Sequence, residues 1–135
     1  MPTVPLIEIE DAPPEVRAVY DDIMATRGVD WINNFWKALA NHPQLLAETW
    51  SRLKQVMGPG ALDPLTKEMI YVAVSIANGC DYCIASHTAA ARAKGMGEAA
   101  HGELIAVVGL AAQLNRVVQA YRVPVDDVFQ GPPTS

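Results

Sequence analysis

The chain has 135 residues, 50% of them apolar and 19% charged, with a formal net charge of -5. That length is most simply one domain with a real core, and the acidic balance argues against nucleic acid, since phosphate binding needs a basic patch. Met1 to Ile9 has neither the basic start nor the apolar stretch of a signal peptide, and no segment is read as reaching the roughly 18 apolar residues of a membrane span, so a soluble cytoplasmic protein without membrane contact is expected.

In chain order, residues 1–14 read as extended, with Pro2, Pro5, Pro13 and Pro14; the last of these suits the first turn of a helix. Val16, Val19, Tyr20, Ile23 and Met24 recur at helical spacing up to Gly28. Trp31 to Asn41 is a second, shorter helical segment. Pro43 opens a third, with Leu45, Leu46, Trp50, Leu53, Val56 and Met57 on one stripe, ending at Gly58-Pro59-Gly60. Asp63-Pro64, an N-cap followed by proline at the first helical position, predicts a fourth helix to Asn78. From Ile70 to Ala77 that helix is apolar almost all round, the mark of burial on every side. Gly79 makes a turn, and a fifth helix runs to about Lys94. A sixth covers Glu98 to Val108, a seventh follows to about Arg122, and the tail from Pro124 is expected to fray. The fold class is all-α, a single domain over 1–135 with leading helices at about 14–60 and a core at about 62–122.

The chemistry concentrates at one place. Cys80 and Cys83 are the only cysteines, with His87 four residues beyond. Two thiols at this spacing can close a small disulfide ring, and in a reducing compartment such a pair reads as catalytic, redox-sensing or metal-binding. A helix starting at Cys80 sets both sulfurs at its amino end, where unpaired N–H groups favour thiolate over thiol. His87 shares the face of Cys83, because four residues advance a helix by about 400°.

The fourth and fifth helices, joined by about one residue, should form an antiparallel hairpin. With Gly79 as pivot, Cys83 lies level with Ser75 and His87 with Tyr71. Glu68 falls three residues past the level of His87, a gap of roughly 4–5 Å that a carboxylate spans directly or through one water. A proton route follows: Glu68 holds His87, His87 takes the proton of Cys83, and the thiolate attacks. Cys80 is the natural resolving partner for the resulting sulfenic acid. Tyr71 and Ser75 face the thiols in this hairpin and, with Tyr82 between the cysteines, could line a substrate pocket.

Glu68, Cys80-Asp81-Tyr82-Cys83 and His87 together resemble the alkyl hydroperoxidase D (AhpD)-like branch of the carboxymuconolactone decarboxylase superfamily, over about Leu62 to Tyr121. The resemblance implies an all-helical fold assembled as trimers or hexamers. It implies that Cys83 is the peroxidatic thiol, that Cys80 forms the disulfide with it, and that Glu68 and His87 relay protons. It also implies reduction of small organic hydroperoxides, with re-reduction by a dithiol donor such as a lipoyl carrier or a thioredoxin-like protein, and no cofactor. The best-known members have a second histidine before the second cysteine. Here Tyr82 stands in its place, a hydrogen-bond donor but a poor base near neutral pH, so the relay is shorter.

Other chemistries compete for the same residues. Cys80, Cys83 and His87 are acceptable zinc ligands, but no distant second pair completes a site, so no metal is expected. Covalent haem is excluded, because Ile84 follows the second cysteine where histidine is required. A zinc-binding or structural helical module, a lactone-acting decarboxylase-like enzyme and a redox sensor remain the alternatives. His42 and His101 read as capping or surface residues, Trp31, Trp36 and Trp50 as core, and Glu98, Glu103, Asp126 and Asp127 as a solvated acidic surface.

Overall fold

Prolines and capping side chains mark where the helices of this chain begin. The computed structural model describes residues 1–132. Among them are six α-helices, two short 3-10 turns and no strand. The helices are α1 (Pro14–Arg27), α2 (Asn34–Leu39), α3 (Pro43–Met57), α4 (Pro64–Asn78), α5 (Asp81–Ala93) and α6 (Glu98–Tyr121). They fall into two compact units, Met1–Gly58 and Pro59–Ser135.

In the first unit, proline opens α1 and α3, where its missing N–H costs no intrahelical bond. His42 caps α3, its Nδ1 accepting from the Leu45 N–H at 3.1 Å, the capping role expected of it. Val16, Tyr20 and Ile23 from α1, Trp36 from α2, and Leu46 and Trp50 from α3 are buried together. Trp36 and Trp50 meet edge to face at 5.6 Å, a favoured geometry for aromatic pairs. Trp31, expected in the core, is instead exposed. It precedes α2, which is shorter than the 31–41 segment predicted. Asn33 is extended at the N-cap of α2, and its side chain accepts a 2.6 Å hydrogen bond from Arg27, which holds the preceding residues out of the helix.

In the second unit, Asp63 accepts from the backbone N–H of Thr66 at 2.9 Å and from its hydroxyl at 2.8 Å. These bonds hold the Asp63 carboxyl below the usual carboxylate range and fix the start of α4. Gly79, in the left-handed region at φ 72°, turns the chain within two residues, and Cys80 is the N-cap of α5. Helices α4 and α5 pack as an antiparallel hairpin, and α6 packs against α4.

Two expectations fail here. Helix α4 is not buried on every side: Glu68, Val72 and Ser75 form its buried stripe, while Ile70 and Val74 on its other face are exposed in the single chain. The break expected after Val108 is absent, and residues 98–121 form one 24-residue helix. Gly109 costs only about 1 kcal/mol inside a helix, and the Ala- and Leu-rich residues on both sides carry the helix through it. The continuous α6 is therefore long and apolar enough, by length and composition, to cross a membrane, which two shorter segments concealed. None of its residues is buried, and Ile105, Val107, Leu110, Leu114, Val117 and Val118 are exposed. The predicted frayed tail is exposed, with a 3-10 turn at Asp127–Phe129. Its last residues, 133–135, lie outside the described residues.

Candidate redox site

All the residues singled out from the motif lie in the second unit, on the α4–α5 hairpin. Cys80 and Cys83 are joined as a disulfide, with a Cα–Cα distance of 5.3 Å. The sulfur of Cys80 also accepts from the backbone N–H of Cys83 at 3.3 Å. The sulfur thus meets one of the donors that a helix start leaves unpaired, and the pair sits at the amino end of α5. In the reduced protein such donors favour a thiolate.

His87 lies one turn beyond Cys83 on α5. Its Nδ1 is 2.7 Å from Oε2 of Glu68 on α4. The hairpin register had left open whether this contact was direct or bridged by water; it is direct. Glu68 is only 6% exposed, and a carboxylate so placed needs partners to stay charged. Burial pushes its carboxyl up, but the hydrogen bond from His87 and the charge its ring carries when protonated, followed by the charge and hydrogen bond of Lys94, outweigh burial and hold it below the usual glutamate range. Glu68 is therefore ionised at neutral pH. With a carboxylate accepting at Nδ1, a neutral His87 carries its proton there and leaves Nε2 free to accept another.

Tyr71 stacks on the His87 ring, with centroids 3.6 Å apart and planes 21° from parallel, in line with the level assigned from the hairpin register. One edge of the imidazole is held by an acid and one face is covered by a phenol ring, which fixes its orientation. Ser75 is buried, but its hydroxyl donates to the Tyr71 carbonyl at 2.7 Å; it serves the backbone of α4 rather than presenting a donor to a pocket. Tyr82, between the cysteines, is 45% exposed.

Lys94 escaped the sequence reading. Its Nζ lies 3.2 Å from Oε1 of Glu68, so each carboxylate oxygen has its own partner. The signal was available: Lys94 is seven residues beyond His87, two turns along the same face, and long side chains on a helix lean back toward its amino end. On the far side of α5, Arg92 pairs with Glu98 at 3.2 Å and approaches His101 Nδ1 at 3.5 Å, so both are surface partners of a cation. Among the described residues, no group of three or more His, Cys, Asp or Glu side chains is placed to hold a metal ion.

Residues 43–126 match the sequence profile of the carboxymuconolactone decarboxylase family. The chain belongs to that family. A solved structure described as the alkylhydroperoxidase AhpD core from Rhodospirillum rubrum ATCC 11170 is 58% identical, with a TM-score of 0.93 over 98% of this chain and 99% of that one. No curated protein matches. The all-helical architecture is thus the AhpD-like one, and within the carboxymuconolactone decarboxylase family this chain carries a redox-capable cysteine pair.

Proposed function

We propose that this protein is a thiol-dependent peroxidase that reduces small organic hydroperoxides through Cys83. The observation that carries this proposal is the Glu68–His87 contact of 2.7 Å on the hairpin that also bears the Cys80–Cys83 disulfide. A buried carboxylate fixing an imidazole one turn from a cysteine is an arrangement for removing a thiol proton. The likeness to the AhpD core of Rhodospirillum rubrum supports the same assignment.

In the reduced protein, His87 accepts the Cys83 proton and Glu68 stabilises the imidazolium. The thiolate attacks the distal peroxide oxygen and donates two electrons to the breaking O–O bond. Cys83 becomes a sulfenic acid, and the alkoxide leaves as alcohol after taking the proton from His87. The Cys80 thiol then attacks the sulfenic sulfur, closes the disulfide and releases water. A dithiol donor completes the cycle by exchange, becoming a disulfide as Cys80 and Cys83 return to thiols. Tyr71, stacked on the His87 ring, and Tyr82, exposed between the cysteines, are the residues we assign to substrate contact. A lipoyl carrier or a thioredoxin-like protein in the cytoplasm fits the donor role.

We take the exposed apolar faces of α4 and α6 to be covered by further copies of the chain in a trimer or hexamer. Gln113, Asn115, Arg116 and Gln119 lie in the second half of α6, groups that are costly in hydrocarbon but acceptable at a protein interface.

Steady-state reduction of tert-butyl hydroperoxide, driven by dihydrolipoamide or by a thioredoxin system, tests the activity and the donor together. Turnover with either donor supports the peroxidase; turnover with neither contradicts it. Stoichiometric zinc in the purified protein without a peroxide response would mark a metal-binding module. Lactone-directed activity surviving replacement of both cysteines would mark a decarboxylase-like member.

A further inference from the structure

We propose that Lys94 is a positioning residue for the proton relay, occupying one oxygen of Glu68 so that His87 remains a neutral, proton-accepting imidazole. This rests on the peroxidase assignment above and extends it to a residue outside the Glu, Cys-x-x-Cys and His motif.

The geometry divides the carboxylate between two partners. Oε2 of Glu68 meets His87 Nδ1 at 2.7 Å, and Oε1 meets Lys94 Nζ at 3.2 Å. Both distances are within hydrogen-bonding range, so the carboxylate cannot rotate without losing one of them. Lys94 is also fixed at its backbone, as the C-cap of α5, where its N–H donates to the carbonyls of Ala90 and Ala91.

The electrostatic consequence has a definite sign. A buried carboxylate with no other partner stabilises an adjacent imidazolium and raises its pKa. An imidazole protonated in advance is unable to take the Cys83 proton. A cation on the opposite oxygen offsets that pull. The carboxylate still orients the ring and still steadies the charge that arrives during the reaction, but it does not protonate the ring in advance.

Other titratable and charged groups stand around the hairpin. On α4, Tyr71 covers the ring face, and the Lys67 ammonium lies beside Gly60. On α5, the sulfurs of Cys80 and Cys83 precede the ring, and Arg92 is paired with Glu98 and His101 of α6. Asp81 and Asp63 stand at the starts of α5 and α4. The remaining charged groups of α6, Glu103 and Arg116, have no hydrogen bond or ion pair to Glu68 or His87.

The test uses the full chain and its variants Lys94→Gln and Lys94→Arg. Proton NMR of the His87 ring in the disulfide form reads its titration without turnover, and the pH profile of tert-butyl hydroperoxide reduction reads the base in action. In Lys94→Gln, the His87 midpoint and the acidic limb of the profile should both move up by about half to one pH unit, the size expected of a half-exposed charge. Lys94→Arg, which keeps the cation, should restore both. If Lys94→Gln leaves both midpoints in place while folding normally, the positioning role is overturned. If the parent shows no peroxide turnover at any pH, the peroxidase assignment fails, while the His87 titration still decides what Lys94 does.

Discussion

Glu68 is the residue on which the site turns, because it is buried, ionised and shared between an imidazole and an ammonium. General-base assistance is worth about a hundredfold or more. His87→Ala is therefore expected to slow peroxide-dependent disulfide formation by about that factor, measured by stopped flow on the reduced protein. The acid also leaves a mark on stability. Its carboxyl is held below the usual glutamate range in the fold, so its ionised form stabilises the protein fully above the unfolded value, about 4.3. That contribution is lost as pH falls through the lower folded value. Urea midpoints followed from pH 7 downward should fall more steeply below about pH 4.3 in the parent than in Glu68→Gln; parallel curves would show that the carboxylate contributes nothing. The sequence exposed Glu68 as the acid facing the fifth helix, because a hairpin pivoting on Gly79 has a calculable register. The second oxygen's partner, Lys94, was legible only through its seven-residue spacing from His87 and the backward lean of long helical side chains, a weaker signal than the motif itself.

At the scale of elements, the α4–α5 turn sets where the sulfurs, the ring and the acid meet. Gly79 sits at φ 72° with open space where a Cβ would stand, so the cost of a side chain there is conformational rather than steric. Gly79→Ala should lower stability by about 1 kcal/mol, read from chemical unfolding, with the Glu68–His87 pairing kept. Helix starts were legible because proline and short polar residues act locally: Pro14, Pro43 and Asp63-Pro64 lie where the structure begins α1, α3 and α4. Helix continuity was less legible. The sixth helix was expected to end at Val108, but the one glycine there, Gly109, is a small penalty against 24 residues of otherwise favourable helix. Trp31 showed the reverse limit, for an aromatic at helical spacing is exposed once Asn33 ends the loop before α2.

For the whole molecule, the unusual feature is apolar surface without a neighbour. In the second unit, α6 buries no residue, and α4 leaves Ile70 and Val74 exposed. The apolar character of α4 was visible in the sequence, but a sequence does not say whether such a face meets its own chain or another copy. If further copies cover it, native mass should exceed the 14.6 kDa of one chain. Paired Leu110→Glu and Leu114→Glu substitutions should then return it toward that value in light scattering; a monomeric parent would contradict this.

The central claim is that Cys83 gives its electrons to a peroxide and that Cys80 completes the disulfide. Thiol titration of the reduced protein before and after one equivalent of tert-butyl hydroperoxide tests it most directly. Both thiols of each chain should disappear in the parent, and the remaining thiol of Cys83→Ser should survive. A Cys83→Ser protein that consumed the peroxide as fast as the parent would contradict the account.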